Sequence, residues 1–258
     1  MSGSVYLVGA GPGAPDLLTL RAARLLALAD IVFHDALVHP ETLALAVRAQ
    51  KIAVGKRCGR HSAAQRFINK RLVDAARKHA VVIRLKGGDS LLFGRAQEEI
   101  AALRDAGVVF EIVPGISAAF AASAGLGTSL TQRGVSRSVV FVTPRVGDGQ
   151  RAGDWAASVL AADTAALYMA AGQSEAVARE LIARGLDAAT PVVVVRDASL
   201  PGCQELPMRL GGFGQLDLRG SAPAMILLGE VYEQRVQRAE RALSTRDTLA
   251  RAARRAPA

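Results

Sequence analysis

The residues best suited to polar chemistry stand where strands are expected to end. Arg84-Leu85-Lys86-Gly87-Gly88-Asp89-Ser90-Leu91-Leu92-Phe93-Gly94-Arg95 follows the β-branched run Val81-Val82-Ile83, so a buried strand delivers two glycines and an acid to a loop. Without a Cβ, Gly87 and Gly88 let backbone approach a ligand closely. Asp89 adds an acceptor for a hydroxyl, an amine or a cation. Arg84, Lys86, Arg95 and Arg104 lie in or just after this stretch and suit a polyanionic small molecule. Ile31-Val32-Phe33 leaves His34 and Asp35 at its carboxyl end, and Lys51 to Val54 runs out into Gly55-Lys56-Arg57. In open α/β sheets such ends carry function. A glycine pair after a strand is by itself only a turn, so the reading depends on what surrounds it.

The elements that must hold these groups follow from periodicity. Val5 to Val8 is a first strand, and Gly9 to Pro15 a loop ending at Asp16, a candidate helix cap. Leu18, Ala22, Leu25 and Ala29 then form one apolar helical stripe. Helices are expected over Glu41 to Val47, Gln65 to His79 and Gln97 to Asp105, and a strand over Val108 to Val113 that closes on Pro114-Gly115. This alternation predicts a mostly parallel sheet covered by helices. The second half repeats the class: strands over Ser138 to Val142, Thr164 to Met169, Pro191 to Arg196 and Ala224 to Leu228, and a helix over Ser174 to Arg184. The predicted domains are 1–115 and 116–234, followed by a basic tail, 235–258.

Composition narrows the function. The formal charge is +9, of which the seven arginines, Glu240 and Asp247 of the tail supply +5. The basic balance is therefore largely a tail property. The tail reads as a solvated or frayed helix in preference to a nucleic-acid arm. Only 4% of residues are aromatic, little material for stacking bases. Cys58, Cys203 and four scattered histidines show no metal-ligand spacing, so no metal is expected. The most apolar span, Ile112 to Leu130, is broken by Pro114, Gly115, Gly125 and Gly127, and no secretory signal is seen. A cytoplasmic protein is expected, with no membrane partner.

Gly9, Gly11 and Ala14 fit the G-x-G-x-x-G/A dinucleotide fingerprint, with Asp30 and Asp35 further on, so a nicotinamide-dependent oxidoreductase is a rival. The prolines oppose it. Pro12 removes a backbone donor, while Pro15 and Asp16 delay the helix and place an acid where a phosphate would sit. The loop better suits a ligand without phosphates, such as the cationic S-adenosylmethionine.

Taken in order, the motifs resemble the uroporphyrinogen-III C-methyltransferases of the wider tetrapyrrole methyltransferase family. The resemblance runs over about residues 5 to 232: Val8 to Gly13 with Leu17 to Leu20, Asp35, Val54 to Arg57, Arg84 to Arg95, Val113 to Ala118, Leu130-Thr131, Tyr168-Met169 and Thr190 to Val192. It implies two α/β domains with mixed, mostly parallel sheets and the cofactor in the cleft between them, as a homodimer. It also implies methyl transfer from S-adenosylmethionine to C2 and C7 of uroporphyrinogen III, giving precorrin-2 for sirohaem or cobalamin synthesis. Its cofactor contacts map onto Pro12, Gly87, Gly88, Asp89, Leu92, Ser117, Ala118, Met169 and Ala198, its proton acceptor onto Asp35 and its proton donor onto Lys56.

Sulfonium methyl transfer needs alignment, and the methylated macrocycle, transiently cationic, must then lose a proton, which gives Asp35 a task as base or electrostatic stabiliser. Lys56 can equally grip one of the substrate's eight carboxylates, as can Arg57. Arg84, Arg95, Arg133 and Arg145 are further candidates for that role. The chain departs from the family pattern at Ala36, Ser90, Gln132, Thr143-Pro144-Arg145 and Ala170, mostly on the substrate side, and Arg145 is a candidate to restore charge lost at position 36. The alternatives are a relative acting on a later precorrin or on RNA, and a cofactor-binding protein without turnover. A standalone methyltransferase is expected, with no fused dehydrogenase and chelatase.

Overall fold

A computed structural model describes residues 3–54, 61–147, 153–218 and 223–255. The chain forms two compact units, Met1–Ala121 and Ala122–Ala258.

The first unit is built on a five-stranded, wholly parallel sheet of order β3-β2-β4-β1-β5, comprising β1 (Ser4–Gly9), β2 (Ile31–His34), β3 (Gln50–Ala53), β4 (Val81–Lys86) and β5 (Phe110–Val113). Its helices are α1 (Leu20–Leu28), α2 (Pro40–Ala44), α3 (His61–Ala76) and α4 (Ala96–Asp105). Strand residues alternate between two buried faces, as a sheet covered on both sides requires. Val5, Leu7, Ile31, Phe33 and Val82 pack with Leu72, Ile100 and Leu103 from α3 and α4. Val8, Val32, Ile83, Leu85 and Val113 pack with Ala22 and Leu26 from α1.

The glycine loop after β1 does not lead straight into a helix. A 3-10 turn, Pro15–Leu17, intervenes, and the cap of α1 is Thr19, whose side chain accepts from Ala22 N at 3.1 Å, rather than Asp16. The helix α5 (Ala118–Leu126) was not expected from the sequence, and the division between the units falls inside it.

The second unit holds a mixed sheet of order β6-β7-β10-β8-β9: β6 (Val139–Val142), β7 (Thr164–Leu167), β8 (Pro191–Arg196), β9 (Gln204–Arg209) and β10 (Ala224–Gly229). Strands β6, β7 and β8 run one way, and β9 and β10 the other. Parallel strands alternating with helices thus describe the first unit fully and the second only in its β6–β7 pair. Helices α6 (Trp155–Leu160), α7 (Ser174–Ala183) and α8 (Leu210–Phe213) cover one face around Leu167, Leu181, Val192, Val194 and Phe213.

The tail is helical. In α9 (Glu233–Arg255), Val236 is buried and Arg209 of β9 donates to Glu233 and Glu240, while residues 240–245 are exposed. Among the described residues no helix is long and apolar enough to cross a membrane.

Candidate active site

In the first unit all five strands point their carboxyl ends to one edge, and the loops leaving β1, β4 and β5 meet there backbone to backbone. Gly11 and Gly88 pair reciprocally, Gly88 N donating to Gly11 O at 2.7 Å and Gly11 N to Gly88 O at 3.2 Å, while Ala10 N donates to Lys86 O at 2.7 Å. A Cβ on Gly9 would lie 2.6 Å from Gly115 Cα and 2.7 Å from Gly88 O, closer than real side chains approach. Glycine is therefore a packing requirement at this junction. Asp89 ties it: Oδ1 accepts from Leu91 N at 2.8 Å and Oδ2 from Gly115 N at 2.9 Å. Its carboxylate organises the loop first. Pro12, Gly87, Leu92 and Ala118 are partly buried around the junction, and Ser117 is buried.

This geometry argues against a dinucleotide. The amides of Gly11 and Gly88 are occupied by each other's carbonyls, Pro12 has none, and the first α-helix begins only at Leu20, so the glycine loop does not run directly into a helix start as the dinucleotide fingerprint requires. Asp30 precedes β2, at the opposite edge, and its Oδ2 accepts from Val81 N at 2.9 Å; it is unavailable to a ribose. A cationic, phosphate-free nucleoside fits the glycine edge better. Arg84 and Lys86, on the strand that leads into this edge, are buried and turned inward.

Arg84 corrects a sequence expectation. It is not presented to a ligand but lies 3% exposed on the sheet face beneath α3 and α4, sharing the parity of Val82. Its Nη2 donates to Asp35 Oδ1 at 2.5 Å and its Nε to Glu99 Oε1 at 2.9 Å. Lys86 Nζ reaches Glu99 Oε2 at 2.7 Å. Burial works against the Arg84 charge, but Asp35 and Glu99 outweigh it and hold the guanidinium above its ordinary range. For Lys86 burial dominates and pushes the ammonium down, with Glu99 opposing. Two cations and two carboxylates close a neutral cluster. Asp35 alone of the four reaches solvent, its side chain 30% exposed, and among the described residues its Oδ2 has no partner.

The remaining cations scatter. Arg95 caps α4 in a left-handed conformation and pairs with Glu98 at 2.6 Å. Arg104 lies in the last turn of α4, its guanidinium 6.0 Å from the Phe110 ring centroid, towards the far edge of the sheet. Lys56 and Arg57 lie outside the described residues.

In the second unit, Met169 follows β7, Ala198 follows β8 and the exposed Arg145 follows β6, all at the carboxyl edge of three strands running the same way. Arg133 sits elsewhere, in the exposed turn bridged by Gln132 and Ser136 before β6; Ser136 Oγ lies 2.9 Å from Thr164 Oγ1 at the start of β7. The structure therefore does not bring Arg133 to the edge that carries Arg145. Five non-glycine residues have left-handed backbones among the described residues: Phe93, Arg95, Met169, Asp197 and Ser199. All lie in loops at strand carboxyl ends, two after β4, one after β7 and two flanking Ala198. Strain of this kind clusters where ligands are held.

Two α/β sheets, with glycine-packed loops at one edge and an aspartate fixed by a buried arginine, define a protein of the α/β class. The chain belongs to the tetrapyrrole (corrin/porphyrin) methylases, whose family pattern matches residues 4–211. It is 43% identical over 230 residues to a siroheme synthase of Zymomonas mobilis, an alignment covering 89% of this chain and 49% of that protein. The chain thus spans about half the length of the curated relatives it matches. The native uroporphyrin-III C-methyltransferase of Thermus thermophilus superposes with a TM-score of 0.79 at 39% identity, over 90% of this chain and 99% of that one. The same enzyme complexed with S-adenosyl homocysteine gives a TM-score of 0.77 at 37% identity, over the same shares.

Glu99 is the residue of this site that sequence reasoning missed. It lies 15 positions after Arg84, and its signal was an acid next to Ile100 and four positions before Leu103, on the apolar side of its helix.

Proposed function

We propose that this chain methylates uroporphyrinogen III at C2 and C7 with S-adenosylmethionine, giving precorrin-2. One observation carries the reading: a uroporphyrin-III C-methyltransferase that binds S-adenosyl homocysteine shares this fold over 99% of its length. The glycine edge supports it, because backbone with no cation inserted among the described residues suits a positively charged nucleoside. When bound, the cofactor supplies a methyl group already activated by its sulfonium.

What falls to the protein is placement and proton removal. Pro12, Gly87, Gly88, Leu92, Ser117, Ala118, Met169 and Ala198 are the proposed cofactor contacts, with Asp89 holding the loop on which several of them stand. As the pyrrole carbon gains its methyl, the ring becomes cationic and a proton must leave. Asp35 Oδ2 is the proposed acceptor, its partner oxygen held by Arg84. Lys56 is the proposed proton donor or a carboxylate grip, and Arg57 and Arg145 are proposed to meet substrate carboxylates. The same reading makes the protein cytoplasmic and dimeric; light scattering on the purified chain would test the second point.

The deciding experiment is anaerobic transfer of labelled methyl from S-adenosylmethionine to enzymatically prepared uroporphyrinogen III, with methyl groups counted by product mass. Two per macrocycle is the expected result. Cofactor binding without transfer would overturn the substrate and direct attention to a later precorrin or to RNA.

A further inference from the structure

We propose that Glu99 is a positioning residue for the Asp35 carboxylate, acting through Arg84. The inference rests on the reading that Asp35 accepts the proton. Glu99 is fully buried on α4, and its carboxylate has three donors. Oε1 accepts from Arg84 Nε at 2.9 Å and Gln65 Nε2 at 3.3 Å, and Oε2 from Lys86 Nζ at 2.7 Å.

A guanidinium is a rigid plane, so holding Nε on one carboxylate fixes where Nη2 points. Here Nη2 points at Asp35 Oδ1, 2.5 Å away on the end of the neighbouring strand. Nη1 completes the orientation on the carbonyls of Leu85 at 3.2 Å and Phe33 at 3.5 Å. Gln65 is itself held, its amide donating to Asn69 Oδ1 at 3.0 Å while Asn69 donates to Glu98 O at 3.0 Å. The tether therefore crosses α3, α4 and β4 before it reaches β2.

Charge gives Glu99 a second task. It faces both Arg84 and Lys86, and without it two buried cations would share Asp35 as their one carboxylate among the described residues. Among the described residues the other titratable side chain beside Asp35 is His34, whose ring engages the Asp35 carbonyl through Nδ1 at 3.1 Å. Glu99 thus divides the pull of Arg84, so that Asp35 is oriented by the guanidinium without carrying all of its charge.

The test is Glu99→Gln in the full chain, with two readouts. With carboxyl-labelled aspartate and no substrate present, the NMR titration midpoint of Asp35, assigned by its loss in Asp35→Asn, is expected to fall, because a carboxylate beside the two cations has been removed. Turnover on uroporphyrinogen III is expected to drop on the order of a hundredfold, the scale of a misplaced catalytic group, with S-adenosyl homocysteine affinity by calorimetry unchanged. If the single variant does not fold, Lys86→Met/Glu99→Gln, which leaves no surplus buried cation, takes its place. In it the two removed charges cancel, so the turnover loss is the expected change and wild-type turnover overturns the proposal. In Glu99→Gln a midpoint equal to or above that of the wild type, or wild-type turnover, overturns the proposal. If the wild-type protein transfers no methyl, the substrate reading has failed, and the titration alone decides the tether: a lowered midpoint sustains it and an unmoved or raised one overturns it.

Discussion

Gly9 and Gly115 approach so closely that a Cβ on the first would stand 2.6 Å from the Cα of the second. Backbone cannot yield as the tip of a side chain would, so Gly9→Ala must push two loops apart at the ends of β1 and β5. The expected cost is roughly 1–3 kcal/mol of stability, as for overpacking elsewhere. Affinity for S-adenosyl homocysteine should fall alongside. Urea unfolding and calorimetry measure the two, and unchanged values in both would show that the loops have room to spare.

Asp35→Asn keeps the shape of the side chain but removes its charge and its capacity to take a proton. Turnover should fall at least about a hundredfold, the lower range for loss of a general base, with cofactor affinity within experimental error of the wild type. Equal turnover would remove Asp35 from the chemistry.

Tyr232 is fully buried, and among the described residues its hydroxyl has no hydrogen-bond partner. Burial pushes the phenol well above its ordinary range. Tyr232→Phe deletes an unpaired polar atom, so stability should stay level or rise by up to about 1 kcal/mol. A clear loss in urea unfolding would mean that the hydroxyl has a partner in solution.

Arg209 fastens α9 to β9. It pairs with Glu233 at 2.6 Å and with Glu240 at 2.9 Å. Hydrogen bonds from Arg209 hold both carboxyls below their ordinary 4.5. A carboxylate lowered in the folded state stabilises above its unfolded pKa, and that contribution is lost as pH falls through the folded value. Arg209→Ala should therefore cost on the order of 1 kcal/mol at pH 7, less in high salt. The gap to the wild type should close as pH drops below 4.5 through those lowered values. A gap independent of pH would assign the loss to packing.

Much of the first unit was legible because its strands are short β-branched or aliphatic runs that end in glycines or acids, as at Val81 to Asp89. Order along the chain then recovered the family. What escaped depended on contacts between distant residues. Arg84 reads as a ligand-facing cation because it neighbours a glycine loop, although its parity with Val82 already placed it on the buried face. Strand β9 escaped because Pro207 interrupts it, which an edge strand tolerates. Helix α5 escaped because its small residues and Gly125 give no amphipathic stripe. Asp16 looked like the better cap from its type alone, yet the chain turns once more before Thr19.

The cluster of Arg84, Lys86 and Glu99 also bears on climate. Stripping water from charged groups becomes less unfavourable as temperature rises, because their hydration carries a negative entropy. These three side chains, each at most 4% exposed, therefore oppose folding most strongly in the cold and least in the heat. A version of this chain suited to a cold habitat would gain by replacing Lys86 and Glu99 with apolar side chains of similar volume, at the expense of the Asp35 tether, whereas a heat-adapted version would have reason to retain them.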